Sequence, residues 1–204
     1  MFRSVREQLT LDIVVRDKRG RLQARRHVKC HSFLTNYYTL LYGLESAAFN
    51  GNGQSQSITD TGGAARTIQS TGSRTVNLFL TTQALGTDNS YGIQLGRGST
   101  ANDGTTVALA TLIANGNGAN QMVYGAMGIT PVGGSAPLSY TFTRTLTNNS
   151  GSTIDVTEAD LVWACTDTGG VQRNFATIRD VFAAVHVLTA SNVTVTYTKS
   201  YTIA

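Results

Sequence analysis

The sequence is poor in charge: Asp, Glu, Lys and Arg make up 14% of 204 residues, where about 25% is usual for a globular domain. Thr, Ser, Asn and Gly take their place, giving a surface that is polar yet cheap to desolvate against a neighbour. Cysteine is scarce as well. Two residues, Cys30 and Cys165, allow one bridge at most and exclude a disulfide framework, which suits a reducing cytoplasm. With three histidines, a catalytic triad would have to use one of them, and none sits in a recognisable motif. No apolar run approaches the roughly 18 residues of a membrane helix. The opening Met1-Phe2-Arg3-Ser4 has no apolar segment of a secretory signal, so export is expected only as part of something larger.

What charge there is lies at one end. Residues 1–30 hold nine basic and three acidic residues, although the whole chain carries only +4. Within that stretch Leu9, Leu11, Ile13 and Val15 alternate with polar residues, the period of a half-buried strand. Asp17-Lys18-Arg19-Gly20 reads as a turn, and Leu22, Ala24, Arg26, Val28 and Cys30 continue at spacing two. A β-hairpin with a basic tip is expected, with Arg16, Lys18, Arg19, Arg21, Arg25 and Arg26 as candidate partner-docking residues. Such a tip suits an acidic partner surface or nucleic acid, and equally a solvated hairpin end. No aromatics are interleaved with the basic residues, so single-strand stacking is disfavoured and nucleic-acid contact reduces to phosphates met by arginine.

The period then changes. Phe33, Tyr37, Leu40, Leu41 and Leu44 share one helical face, with Ser32 as expected cap and Gly43 near the expected end. Residues 50–75 lose periodicity and read as a Gly/Ser/Thr-rich loop or arm, one that could order only against a neighbouring subunit. Short strands separated by polar turns follow: Val76–Thr82, Tyr91–Leu95, Val107–Ile113, Gln121–Ile129, Leu138–Leu146, Ile154–Val156 with Leu161–Ala164, Phe175–Ile178, Ala183–Leu188 and Asn192–Ile203. In the last, Val193, Val195, Tyr197 and Tyr201 oppose Thr194, Thr196, Thr198 and Thr202, and Thr141 to Thr147 form a second threonine ladder. The expected fold is mainly β: an antiparallel, jelly-roll-like β-sandwich with one short helix after an N-terminal hairpin. Residues 1–49 form the hairpin and helix, 50–75 the arm, and 76–204 the sandwich.

Few constellations carry chemistry. Gly96-Arg97-Gly98-Ser99-Thr100 lacks the lysine and spacing of a phosphate loop and reads better as a turn. His27, Cys30 and His31 lie close together, but a structural zinc site wants four ligands, so a strand end with a buried thiol is preferred and no metal or cofactor is expected. Asp155, Glu158 and Asp160 could do acid–base work, yet a solvated strand edge, where charge prevents stray pairing, is the better reading. Trp163, in an apolar run, is assigned to the core. No catalytic residue emerges, and the chain is not expected to be an enzyme.

Four stretches together resemble small virion structural proteins of tailed bacteriophages: IVVRDKRGRLQARRHVKCHSFLTNYYTLLYGL, YGIQLGRGSTANDGTTVALATLIANGNGANQMVYGA, FTRTLTNNSGSTIDVTEADLV and IRDVFAAVHVLTASNVTVTYTKSYTI. The resemblance implies a β-sandwich tail, neck or capsid-surface component, made in the host cytoplasm and located in the virion. Its expected partners are copies of itself and other virion proteins, and no membrane. The competing expectation is a receptor- or carbohydrate-binding module at a virion tip, with its site in the loops near Asn115–Asn120 and Asn148–Gly151.

Overall fold

The computed structural model describes residues 5–30, 32–50, 55–69, 82–132 and 138–203. The expected strand over 76–81, the Gly133-Gly134 turn and the candidate ligand His31 lie outside them. The chain is mainly β with a single described helix. In chain order the elements are β1 (Val5–Arg16), β2 (Leu22–Cys30), α1 (Thr35–Asn50), β3 (Ser55–Thr59), β4 (Ala65–Gln69), β5 (Gly92–Gly96), β6 (Val123–Val132), β7 (Leu138–Asn148), β8 (Ile154–Thr166), β9 (Gln172–Val187) and β10 (Ser191–Ile203). They form a five-stranded sheet in the order β2-β1-β10-β7-β6, a three-stranded sheet β5-β8-β9 and the hairpin β3-β4. Every pairing between them is antiparallel.

Alternation sets the inner face of the large sheet. Leu9, Leu11, Ile13 and Val15 of β1 and Val193, Val195 and Tyr197 of β10 are buried to 1% exposure or less. They share one cluster with Ile93 and Leu95 of β5, Val156, Ala159 and Leu161 of β8, and Ile178 and Val187 of β9. Two antiparallel sheets therefore close over a common core, a sandwich-like arrangement; jelly-roll connectivity is not established by these strand orders. On the opposite face of the large sheet threonines meet in register: Thr145 opposes Thr194, Thr143 opposes Thr196 and Thr141 opposes Thr198. Two of these pairs join hydroxyls, at 2.9 Å for Thr145–Thr194 and 3.2 Å for Thr143–Thr196.

The small sheet is covered on both faces. Its second face packs Val162 and Ala176 against Leu34. Cys165 and Phe175 pack with Leu40 of α1 and with Ile58 and Ile68 of the β3-β4 hairpin. Bulges at Val156/Glu158 and Leu161/Val162 let β8 switch register along its length.

Several sequence expectations change here. The helix begins at Thr35, not at Ser32, whose hydroxyl instead donates to Asp180 Oδ1. It also runs through Gly43 to Asn50. Residues 55–59 and 65–69, expected as part of a loop or arm, form β3 and β4 and pack on their own chain. The pattern was hidden because the hairpin has only Ile58 and Ile68 to bury, with Ser, Gln, Thr and Arg around them. Residues 107–113, expected as strand, are irregular; they meet β5 at the bridge between Gly96 and Leu112, with backbone bonds from Arg97 to Thr111 and from Ile113 to Leu95.

Candidate docking surface

The candidate surface is the β2 edge of the five-stranded sheet, one of its two terminal strands. β2 is terminal in that sheet, so one side of its backbone has no strand partner among the described residues. Asp17 shapes the tip leading into it. Its Oδ1 accepts the Arg19 amide at 2.8 Å and the Arg21 amide at 2.9 Å, while Gly20 takes the left-handed φ of 78° that the tight turn demands.

The six candidate docking residues divide into three kinds. Lys18 and Arg19 lie at the tip, exposed, and neither has an ion-pair partner among the described residues. Arg16, Arg21 and Arg25 are exposed but tethered. Arg16 donates to the Gly20 carbonyl at 2.9 Å, Arg21 pairs with Asp17 at 2.6 Å, and Arg25 pairs with Asp12 at 3.2 Å. Exposed pairs of this kind add about 1 kcal/mol or less, so they fix orientation and leave the field positive. Arg26 differs: it is half-buried, its guanidinium lies 6.0 Å from the Phe182 ring centroid, and its Nε is buried with no hydrogen-bond partner among the described residues.

Two adjoining hollows run from the tip along β2. The first, about 420 Å3, is lined by Lys18, Arg19, Arg21, Gln23, Leu188 and Ser191 among others. The second, about 310 Å3, lies between β2 and the end of β9, against Gln23, Arg25, Arg26, Ala184, His186 and Leu188. Leu22 and Leu188 stand 57% and 45% exposed beside them. The surface thus joins untethered positive charge, apolar contacts and a strand edge with no partner among the described residues.

The other candidates have structural work. Glu158 and Asp160 are not at a solvated edge: β8 is the middle strand of its sheet, and both are 0% exposed. Glu158 Oε1 accepts the amides of Gly98 at 2.7 Å and Thr111 at 2.8 Å, and Oε2 accepts that of Ala110 at 3.0 Å. Gly96 and Gly98 are needed there because a Cβ at either would lie 2.4–2.5 Å from Glu158 Oε1. The Gly-Arg-Gly stretch is therefore a cradle for a carboxylate of the chain itself. Asp155 is exposed and pairs with His186 at 2.6 Å. His27 pairs with Asp12 at 3.1 Å, and no group of three metal-ligating side chains comes together among the described residues. Burial pushes the Cys30 thiol up, with Asp180 adding to it, and pushes Cys165 up to about 12; neither thiol is activated. Trp163 packs against the core, as expected.

Three buried cations were not singled out from sequence: Arg144, Arg179 and Lys199. Arg144, 0% exposed, donates to the carbonyls of Gly125, Tyr91, Ile93, Leu85 and Asp88, fixing the segment before β5. Lys199, 3% exposed, pairs with Glu7 at 2.6 Å and lies 4.3 Å from the Tyr37 ring centroid. Its only sequence signal was a lysine interrupting the apolar face of β10. In the loops of the binding-module reading, Asn115 Oδ1 accepts the Tyr124 amide, Asn120 accepts from Arg97, and Asn148 is buried and donates to Ser152 and Val187.

No family model, curated protein or solved structure matches this chain.

Proposed function

We propose that the chain is a structural subunit of a tailed-phage particle, a capsid-surface, neck or tail part that works through repeated contacts with copies of itself and with other virion proteins. One observation carries the reading: the open edge of β2, flanked by untethered Lys18 and Arg19 and by exposed Leu22 and Leu188. An unpaired edge is a template for strand addition, and positive charge beside it selects the partner more than it holds it. The low overall charge and the four-part resemblance to small virion proteins support the same reading. In the alternative binding loops Asn115, Asn120 and Asn148 bond to Tyr124, Arg97, Ser152 and Val187 of the same chain, which favours assembly over recognition through those three side chains.

The test is composition and mass. The protein is expected in purified particles at a fixed copy number, and light scattering on the isolated chain is expected to show mass rising with concentration. A chain that stays monomeric at high concentration and is missing from purified particles would end the reading.

A further inference from the structure

We infer that β2 takes an extended acidic segment of a neighbouring protein as an added strand, seated along the two hollows between the hairpin tip and the end of β9. This rests on the assembly reading and names the partner of that surface. Three observations select the occupant. First, no strand among the described residues pairs with the outer edge of Leu22–Cys30, and strand addition satisfies such groups directly. Second, the charge is of one sign along the outward side of β2. The charged side chains of β2 on that face, Arg25 and Lys29, are both basic and stand opposite Val14 and Thr10 of β1; Asp12 engages Arg25 at 3.2 Å, and Lys18 and Arg19 extend the positive field past the end of the strand. Third, Arg26 sits at the seam with an unsatisfied Nε, a guanidinium for which a carboxylate is the natural partner.

The same charges argue against a second β2 as occupant. Antiparallel pairing of two copies about a twofold centred on His27 would set Arg25 against Lys29, and one centred on Arg25 would set Arg25 against itself and Lys29 against Arg21; like charges opposite one another across strands are destabilising. The edge thus blocks pairing with itself while admitting an acidic strand, specificity by repulsion as well as attraction. Nucleic acid would satisfy the charge alone. It would leave the strand edge unpaired and Ala184, Leu188 and Leu22 without apolar contact, so a peptide fits more of what is there.

The experiment uses the intact chain with three fluorescent probes: a synthetic peptide alternating glutamate and valine, its lysine counterpart, and a single-stranded oligonucleotide. The glutamate peptide is expected to bind and the lysine peptide not. Hydrogen exchange should slow at amides within Leu22–Cys30 when the acidic peptide is present. A Lys18→Glu/Arg19→Glu variant changes two exposed tip residues and should fold normally, yet weaken binding about tenfold or more. The inference is overturned if both peptides bind alike or neither binds, if protection appears on another strand, or if the oligonucleotide binds more tightly than the acidic peptide. If the chain is found in particles but the peptide fails, the assembly reading stands and only the edge assignment falls.

Discussion

Arg179 donates twice to one oxygen of Glu158, with Nη2 2.7 Å and Nε 3.1 Å from Oε2, and both side chains are buried. The pair pins the 97–112 segment to the small sheet, because the same carboxylate accepts three of that segment's amides and Arg179 donates to the Thr100 carbonyl at 2.9 Å. Burial pushes the Glu158 carboxyl up, but the amides of Thr111 and Ala110, then Arg179 and Gly98, outweigh it and hold the group below its ordinary range. Glu158→Gln is expected to leave the Arg179 charge uncompensated and cost about 3–5 kcal/mol, read as a lower urea midpoint. Replacing both partners, Glu158→Leu with Arg179→Met, should recover only part of it, since each orphaned buried amide still costs about 1–3 kcal/mol. Because the folded-state carboxyl is depressed, its contribution is full above the ordinary glutamate range and is lost progressively as pH falls from that range through the lower folded-state value.

Two strand positions on, Asp160 behaves in the opposite sense. Burial, followed by the nearby Glu158 charge, raises its carboxyl well above the ordinary aspartate range, against the opposing pull of Arg179. Neither carboxylate oxygen has a well-formed hydrogen bond. The unfolded chain releases this proton at the usual aspartate pKa while the folded chain keeps it. Stability therefore declines as pH climbs from the aspartate range towards the raised value. Asp160→Asn, nearly isosteric and never charged, is expected to be more stable than the parent at neutral pH and to flatten that decline. Urea titrations from pH 4 to pH 8 would show it; an Asn variant that is less stable at neutral pH would refute the assignment.

Cys30 and Cys165 are both buried and free, with thiols raised by burial. Thiolate is the reactive form and access is closed, so an aromatic disulfide reagent at pH 8 should label neither in the native protein and both in denaturant. The labelling rate in mild denaturant then reports how often the core opens. Fast labelling of one thiol in the native state would contradict its placement.

Strands that bury one face were legible. Leu9 to Val15 and Val193 to Tyr197 alternate, and both strands run where the pattern puts them. The mainly-β antiparallel architecture and the single helix followed from that. The small sheet was harder, because β8 is buried on both faces through Glu158–Val162 and two bulges break its period; its one strand read as two, as did β9. Glu158 and Asp160 looked solvated because a carboxylate signals water unless its partners are known, and Arg179, Gly98 and Thr111 lie far along the chain. Of the docking residues, the exposure of the tip was legible from the Asp17–Gly20 turn, but the half-burial of Arg26 against Phe182 was not.

One sequence signal went unread. Thr-Asp-Thr-Gly-Gly-x-x-Arg occurs at Thr59–Arg66 and again at Thr166–Arg173, and the two copies fold alike. In each, the aspartate Oδ1 accepts amides two and four residues on, for Asp60 at Gly62 and Ala64 and for Asp167 at Gly169 and Val171. Oδ2 takes the arginine Nε, from Arg66 at 2.6 Å and from Arg173 at 2.8 Å. The turns also grip each other reciprocally: the Thr61 amide donates to the Asn174 carbonyl at 2.8 Å and the Thr168 amide to the Thr67 carbonyl at 2.9 Å. Equivalent positions exchange equivalent bonds, a local twofold that docks the β3-β4 hairpin onto the end of β8-β9. Gly63 and Gly170 hold left-handed φ values of 82° and 78°, so alanine at either should cost about 1–2 kcal/mol. Sites in one hydrogen-bonded network do not add. The double variant Gly63→Ala/Gly170→Ala is expected to cost measurably less than the two single changes together, since either one already loosens the shared contact. Strict additivity in urea unfolding would mean that the turns, though touching, do not support each other.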